Sequence, residues 1–238
     1  MQYVIGDIHG CFDEFMDMIN KIQFNESTDI LYFVGDYIDR GPKTYEVFRW
    51  LEKHTNDQCY RFVRGNHEQE YIANIKLLSQ LNGNIIDNYD KLKDMSDYFD
   101  NYGTIGQLIK HNHVGIVTLN RWAEMFLAMP LHCMFECNQS RYAVVHAGIR
   151  DNQDDLQFNL YSREEAFLSG GIDNTTVISG HSPTIVKGDF VYANGKVFIY
   201  QHNSRIFYDI DCGCVFRPIE ADARLACIRI DDNKIYYV

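Results

Sequence analysis

Nothing in the 238-residue sequence is apolar for long enough to cross a bilayer: no hydrophobic run approaches the roughly 18 residues that a membrane helix requires. The opening Met1-Gln-Tyr-Val-Ile-Gly-Asp has no basic n-region, which argues against a cleaved secretion signal and leads us to expect a cytoplasmic protein. Basic residues are scarce too. Lys and Arg number 22 against 33 Asp and Glu, a formal charge of −11, so a nucleic-acid polymer, whose binding needs clustered cations, is excluded as a partner. The seven cysteines lack a second Cys or His pair at zinc-finger spacing, although Cys133 with Cys137, or Cys212 with Cys214, could be misread as half a site. Reduced thiols are the expectation. Proline is limited to four residues, no Pro/Ser-rich linker divides the chain, and no internal repeat is evident. With 46% hydrophobic residues the chain can bury a core, and residues 1–238 read as one domain with a helical cap segment at about 69–129.

What the sequence does hold is order. Short β-rich runs at residues 3–5, 30–34 and 60–63 each end at once in a Gly-Asp or Arg-Gly-Asn loop. Helical patterns at 12–22 and 45–53 separate them, which predicts parallel βαβ units whose ligand groups gather at the carboxyl ends of the strands. Residues 68–129 read as three or four helices. Within them, residues 87–100 carry five aspartates offset by Lys91 and Lys93, the pattern of a solvated helix face. Strands return at 132–137, 142–146, 176–179, 196–201, 206–210, 225–230 and 234–237, with Asn194-Gly195 and Asp232-Asn233 suited to tight hairpins. This half is expected to form a largely antiparallel sheet packed on the first, an α/β sandwich with helices outside.

Five motifs carry the chemistry: Gly-Asp-Ile-His-Gly at 6–10, Gly-Asp-Tyr-Ile-Asp-Arg-Gly at 35–41, Arg-Gly-Asn-His-Glu at 64–68, Val-His-Ala-Gly at 145–148 and Gly-His-Ser-Pro at 180–183. Carboxylates, imidazoles and an amide are the donors that hold hard or borderline divalent cations. Asp7 and His9, two apart, would point the same way from an extended segment and could share one ion. Asp36 takes the matching place after the next strand and could bridge two. Asp39 and Arg40 could be a surface ion pair, but Arg40 is better read as a fork for phosphate oxygens and Asp39 as the partner that orients a histidine. Asn66 could cap a helix or ligate, leaving His67 beside it for proton transfer. His146 and His181 supply two more imidazoles; His202 rivals His181 but lacks its Gly-His-Ser-Pro context, and His111 with His113 reads as a solvated loop.

In this order and spacing the five motifs resemble the phosphoprotein phosphatase family of the calcineurin-like metallophosphoesterase superfamily, particularly its small bacterial and phage-type enzymes. The resemblance spans essentially the whole chain, because Ile-Asp-Cys-Gly-Cys-Val-Phe at 210–216 is similar to the family's closing strand-turn. It implies a four-layer sandwich of two mixed β-sheets flanked by helices. It also implies a dinuclear centre, with Asp7, His9 and Asp36 on the first ion and Asp36, Asn66, His146 and His181 on the second. Manganese is the first expectation, with iron, zinc or cobalt accepted by the same donors. His67, oriented by Asp39, would be the general acid, Arg40 would hold the phosphoryl group, and Arg163, in competition with Arg150, would be the second phosphate arginine.

The absence of a nucleophile-elbow serine and of a P-loop fits direct attack by hydroxide held between the two ions. Phosphoserine or phosphothreonine in a protein or peptide is the first substrate expectation, since Arg40 and Glu68 match the phosphatase-like members. A symmetrical dinucleoside polyphosphate such as diadenosine tetraphosphate is the second, since Val-His-Ala-Gly-Ile and Asp-x-Gly-Cys resemble those hydrolases. A catalytically dead metal-binding module is the third, and it predicts a lost ligand or acid, which the sequence does not show.

Overall fold

The structure, a computed structural model, describes residues 1–95 and 103–238. Its first sheet is seeded by three short parallel strands, β1 (Gln2–Ile5), β2 (Ile30–Phe33) and β3 (Tyr60–Phe62), joined by α1 (Phe12–Lys21) and α2 (Thr44–His54). These are the predicted βαβ units. The chain then runs through α3 (Asn66–Ser79), α4 (Ile85–Met95), α5 (Thr104–Lys110) and α6 (Ile116–Leu127). Of the acidic run at 87–100, Asp97 and Asp100 lie outside the described residues, and Asp90 pairs with Lys110 on the surface.

The second sheet begins with the antiparallel pair β4 (His132–Cys137) and β5 (Ser140–Val145). After α7 (Leu156–Tyr161) and α8 (Glu164–Leu168), β6 (Thr175–Ser179) joins β5 in parallel. Next come β7 (Phe198–His202) and β8 (Arg205–Asp209), and the sheet order is β4-β5-β6-β8-β7. The final hairpin, β9 (Ala226–Arg229) and β10 (Lys234–Tyr237), leaves this sheet and completes the first, in the order β10-β9-β1-β2-β3.

Three expectations are corrected here. The final hairpin, expected in the second sheet, pairs with β1 in the first. The second sheet is mixed, with β5/β6 and β6/β8 parallel, because helical and irregular crossovers return the chain to the same end of the sheet. Asn194-Gly195 does form a turn with both residues at positive φ, but β7 begins only at Phe198 and no strand precedes the turn. The hairpin sits instead at Asn203, between β7 and β8. Asp232-Asn233 turns between β9 and β10 as its dipeptide predicts.

Period-two alternation distributes the strands' side chains among three apolar layers. From β1, Tyr3 and Ile5 face the helices while Val4 faces the second sheet. From β5, Val144 meets Val4, Val34 and Ile178 between the sheets, while Ala143 and Val145 pack outward on Ala166 and Phe167 of α8. The helices of residues 66–127 share one core with α1, α2 and the first sheet: Trp122 of α6 stacks on Phe48 of α2, with centroids 4.4 Å apart. The four layers are thus helices, sheet, sheet, helices. The site lies along the top, where the parallel strands end.

Candidate metal centre

Six strand ends converge. The loop after β1 brings Asp7 and His9; that after β2 brings Asp36, Asp39 and Arg40; α3, starting directly after the β3 loop, brings Asn66, His67 and Glu68. His146 follows β5, His181 follows β6 and Asp211 follows β8. Backbone strain accompanies the convergence, for His9, Asp36, Asp39, Arg40 and His181 all have positive φ. This corrects one expectation. His9, at φ 44°, reaches the site from a turn and not from an extended segment alternating with Asp7.

Asp36 stands at the centre, nearly inaccessible to solvent. Its Oδ2 lies 3.4 Å from His9 Nε2 and 3.8 Å from His67 Nε2. Its Oδ1 lies 3.3 Å from His146 Nε2, which in turn is 2.8 Å from Asn66 Oδ1 and 3.1 Å from His181 Nδ1. Two groups therefore share Asp36, with potential ligand atoms mutually within 4.8 Å: His9, Asp36 and His67 on one side, and Asp36, His146 and His181 on the other.

The far nitrogens of the rings decide which lone pairs face inward. His9 Nδ1–H donates to the Ile38 carbonyl at 2.9 Å and His146 Nδ1–H donates to the Val34 carbonyl at 3.1 Å, so each turns an unprotonated Nε2 toward Asp36. Asn66 takes part because Gly65, not Asn66, is the N-cap of α3; the amide is free of capping and presents Oδ1 to both His146 and His181. His67 differs. Its Nδ1–H donates to the Asp39 carboxylate at 2.6 Å.

Charge follows the same division. Burial pushes His9 down to about 3 and lowers His146 and His181 as well, keeping all three neutral. Burial also acts to lower His67, but the Asp36 and Asp39 carboxylates outweigh it and raise the imidazole to about 9. Burial, then the Asp211 and Asp36 carboxylates, raise Asp7 well above the usual carboxylate range.

These features fit divalent cations. Acceptors face one another at His146 Nε2, Asn66 Oδ1 and Asp36 Oδ1. Asp7 Oδ1 is buried with no hydrogen-bond partner, while its Oδ2 accepts from the His181 N–H at 3.1 Å. An Arg40 N–H donates to His9 Nε2 at 3.2 Å, so a positive group already sits on that lone pair. Close approach is built in. A Cβ on Gly180 would lie 1.9 Å from Asp7 Oδ1, so only glycine fits there. Asp7 itself is not among the residues mutually within 4.8 Å of either group; it borders the site through His181.

Beside the centre opens a cavity of about 650 Å³ lined by Arg40, Arg163, His181, Pro183, Val186, Asp189, Val215 and Phe216. Arg150 is elsewhere: it pairs with Asp155, lies over the Phe158 ring and lines a separate cavity. His202 ends β7 on the exposed surface, and His111 and His113 are also exposed. Sequence reasoning missed three features. Asp209 and Asp211 are buried behind Asp7; Asp211 is signalled only by its place in the closing motif, and Asp209, the last residue of β8, by no motif. Cys214 adjoins Cys11 and Glu14, and among the described residues all seven cysteines are free thiols. The third feature is Glu68, whose carboxylate accepts from backbone N–H groups of the β2 loop.

A family model described as calcineurin-like phosphoesterase matches residues 3–216. The chain belongs to the calcineurin-like phosphoesterase family. Among curated relatives, a symmetrical bis(5'-nucleosyl)-tetraphosphatase from Erwinia tasmaniensis is 44% identical over 71 residues, 30% of this chain and 25% of that protein. The chain thus spans about a quarter of the length of the first curated relatives it matches. An asymmetrical bis(5'-nucleosyl)-tetraphosphatase from Halalkalibacterium halodurans is 28% identical and is matched over 91% of this chain and 87% of its own. A crystal structure provisionally assigned as a diadenosine tetraphosphatase aligns over 100% of this chain and 92% of its own, with TM-score 0.62 and 18% identity. A protein serine/threonine phosphatase from Saccharomyces cerevisiae aligns over 100% and 78%, with TM-score 0.54 and 18% identity. These two similarities concern the fold alone.

Proposed function

We propose that this protein hydrolyses dinucleoside polyphosphates in a metal-dependent reaction, with residues 1–238 acting as one catalytic unit. The observation that carries the metal-dependent part is the pair of donor groups sharing Asp36 beside a cavity entered by Arg40 and Arg163. In this reading Asp7, His9 and Asp36 hold one cation, and Asp36, Asn66, His146 and His181 hold the other. Two divalent ions there, manganese first, would supply Lewis-acid charge for a phosphoryl group and lower the pKa of water toward neutrality.

The chain's own residues divide the remaining work. Arg40 and Arg163 bind phosphoryl oxygens as planar forks. His67 is reserved from ligation by its partner: the Asp39 carboxylate on Nδ1 stabilises the imidazolium, leaving an Nε2 proton for the departing oxygen, whereas His9 and His146 lean on neutral carbonyls. Beyond the arginines, Pro183, Val186, Val215 and Phe216 give the cavity an apolar wall, and 650 Å³ accommodates a nucleoside next to its phosphates.

The sequence motifs alone rank phosphoserine and phosphothreonine first. The relative matched along 91% of this chain is named as an asymmetrical tetraphosphatase, which supports moving the dinucleotide ahead. A phosphopeptide is the second reading, supported by the Arg-Gly-Asn-His-Glu form and by the likeness in fold to a serine/threonine phosphatase. Rates on diadenosine tetraphosphate and on a phosphopeptide, measured side by side with added Mn²⁺, decide between them. Faster turnover of the dinucleotide is expected, with AMP plus ATP marking asymmetrical cleavage and two ADP marking symmetrical cleavage. Faster turnover of the phosphopeptide would reverse the order, and inactivity of the wild type relative to His67→Asn would remove the enzymatic reading.

A further inference from the structure

The β2 loop is the mechanical junction of the site, and one carboxylate from the first turn of α3 holds it. The Asp36 carbonyl accepts from the N–H groups of Ile8 and His9, the Tyr37 carbonyl accepts from Gly10 N–H, and the Ile38 carbonyl fixes the His9 ring. This loop therefore positions the β1 loop. Yet Asp36, Asp39 and Arg40 all have positive φ, so nothing in the local chain preference keeps the loop in this shape.

Glu68 supplies the restraint. Its side chain is fully buried; Oε2 accepts from Asp36 N–H and Gly65 N–H, both at 2.9 Å, while Oε1 accepts from Tyr37 N–H at 2.9 Å and Ile38 N–H at 3.4 Å. A helix cap accounts for the Gly65 bond alone, as Glu68 is the third residue of α3. The other three donors lie 30 to 32 residues away. Tyr37 adds a second brace, its hydroxyl donating to the Val63 carbonyl at 2.8 Å. Each Glu68 oxygen serves two N–H donors, a demand that a carboxylate meets and a carboxamide does not, because the amide end would oppose donor to donor.

We propose that Glu68 is a positioning residue that sets the geometry of the shared Asp36 carboxylate by gripping three successive amides of its loop. The assignment rests on the metal-dependent reading of the site. Glu68 touches no reacting atom; it acts through Asp36 directly and through Ile38 on His9. Its removal accordingly weakens cation binding before it unfolds the protein.

The test is calorimetric titration of Mn²⁺ into the metal-free full-length wild type, Glu68→Gln and a core control, Val47→Ala, with thermal melting of all three. Glu68→Gln is expected to weaken at least one Mn²⁺ site by about tenfold or more, the size typical of lost support behind a ligand. It should also lose the exchange-coupled spectrum of a paired Mn²⁺ centre, while Val47→Ala melts earlier and keeps both sites. A Glu68→Gln variant that binds two Mn²⁺ like the wild type overturns the proposal alone. A wild type that binds no Mn²⁺ overturns the metal reading, and the proposal with it. Should Glu68→Gln not fold, amide exchange in the wild type decides: protection of the amides of residues 36–38 supports the grip, and exchange at the rate of exposed amides overturns it.

Discussion

The two sides of Asp36 look alike in residue type and differ in what stands behind them. On the Oδ2 side, the far nitrogen of His67 meets a carboxylate, Asp39, at 2.6 Å. On the Oδ1 side, the far nitrogen of His146 meets a neutral carbonyl, Val34, at 3.1 Å. A carboxylate stabilises imidazolium, whereas a carbonyl only fixes the tautomer, so the first ring keeps a proton to give and the second keeps a lone pair. The lesson is that a histidine's role at such a site is written in the charge of its outer partner.

The largest effect is expected where both sides are broken together. Asp36→Asn should lose tightly bound metal at both positions and turnover with it, which elemental analysis after gel filtration, paired with a rate assay, checks. His67→Asn breaks one side only: the rate should fall by about 10²- to 10⁴-fold with metal content unchanged. If instead a metal equivalent disappears with His67, the ring is a ligand and the comparison between the two sides collapses.

Asp39→Asn sharpens the comparison by making His67 resemble His146. Burial lowers His67, and Asp36 and Asp39 raise it past that, to about 9. In the proposed general-acid role the active form is the protonated one, so activity should be full below the pKa and lost as pH rises through it. Cations on Asp36 would remove part of the field that raises His67, placing the limb below 9 in the loaded enzyme. The variant should move that alkaline limb to lower pH and cut the rate near pH 8 by about tenfold, as a pH–rate profile would show. An unmoved limb would assign it to another group. Smallest is the arginine pair. Arg163→Ala should raise KM by about tenfold, as loss of a charge-assisted contact does, while Arg150→Ala should leave KM unchanged. Equal effects from the two would break the assignment of the cavity.

Glu68 links its own ionisation to the proposed cation binding. Burial and the Asp36 carboxylate push Glu68 up to about 8, against the pull of His67 and the backbone donors. Cations on Asp36 would offset the repulsion and favour the ionised carboxylate on which the loop depends.

Much of the site was legible because its donors sit beside glycines at the ends of β-rich runs, and a parallel strand delivers its carboxyl end to a common edge wherever the helix between returns. Asp36, His146 and His181 could be named on that ground. His9 shows the limit: its turn at positive φ is fixed by bonds to the Asp36 and Ile38 carbonyls, about thirty residues away, and the motif gives no sign of it. The Asn194-Gly195 turn fails as a hairpin for a related reason. A dipeptide specifies a turn, but pairing needs strands on both sides, and residues 183–193 lack the alternation that would supply one.

The sequence by itself determined the donor types, their order, the parallel βαβ start and the layered α/β architecture, because each follows from composition and short-range periodicity. Only the tertiary structure decided that Asp36 serves two groups, that Asp39 stands behind His67 while Val34 stands behind His146, that Arg163 and not Arg150 shares the cavity with Arg40, and that Glu68 grips the β2 loop. Each of these is a contact between residues far apart in the chain, set within the first sheet for Asp39 and Glu68 and by the packing of the two sheets for Val34 and Arg163. Local pattern has no term for such distances.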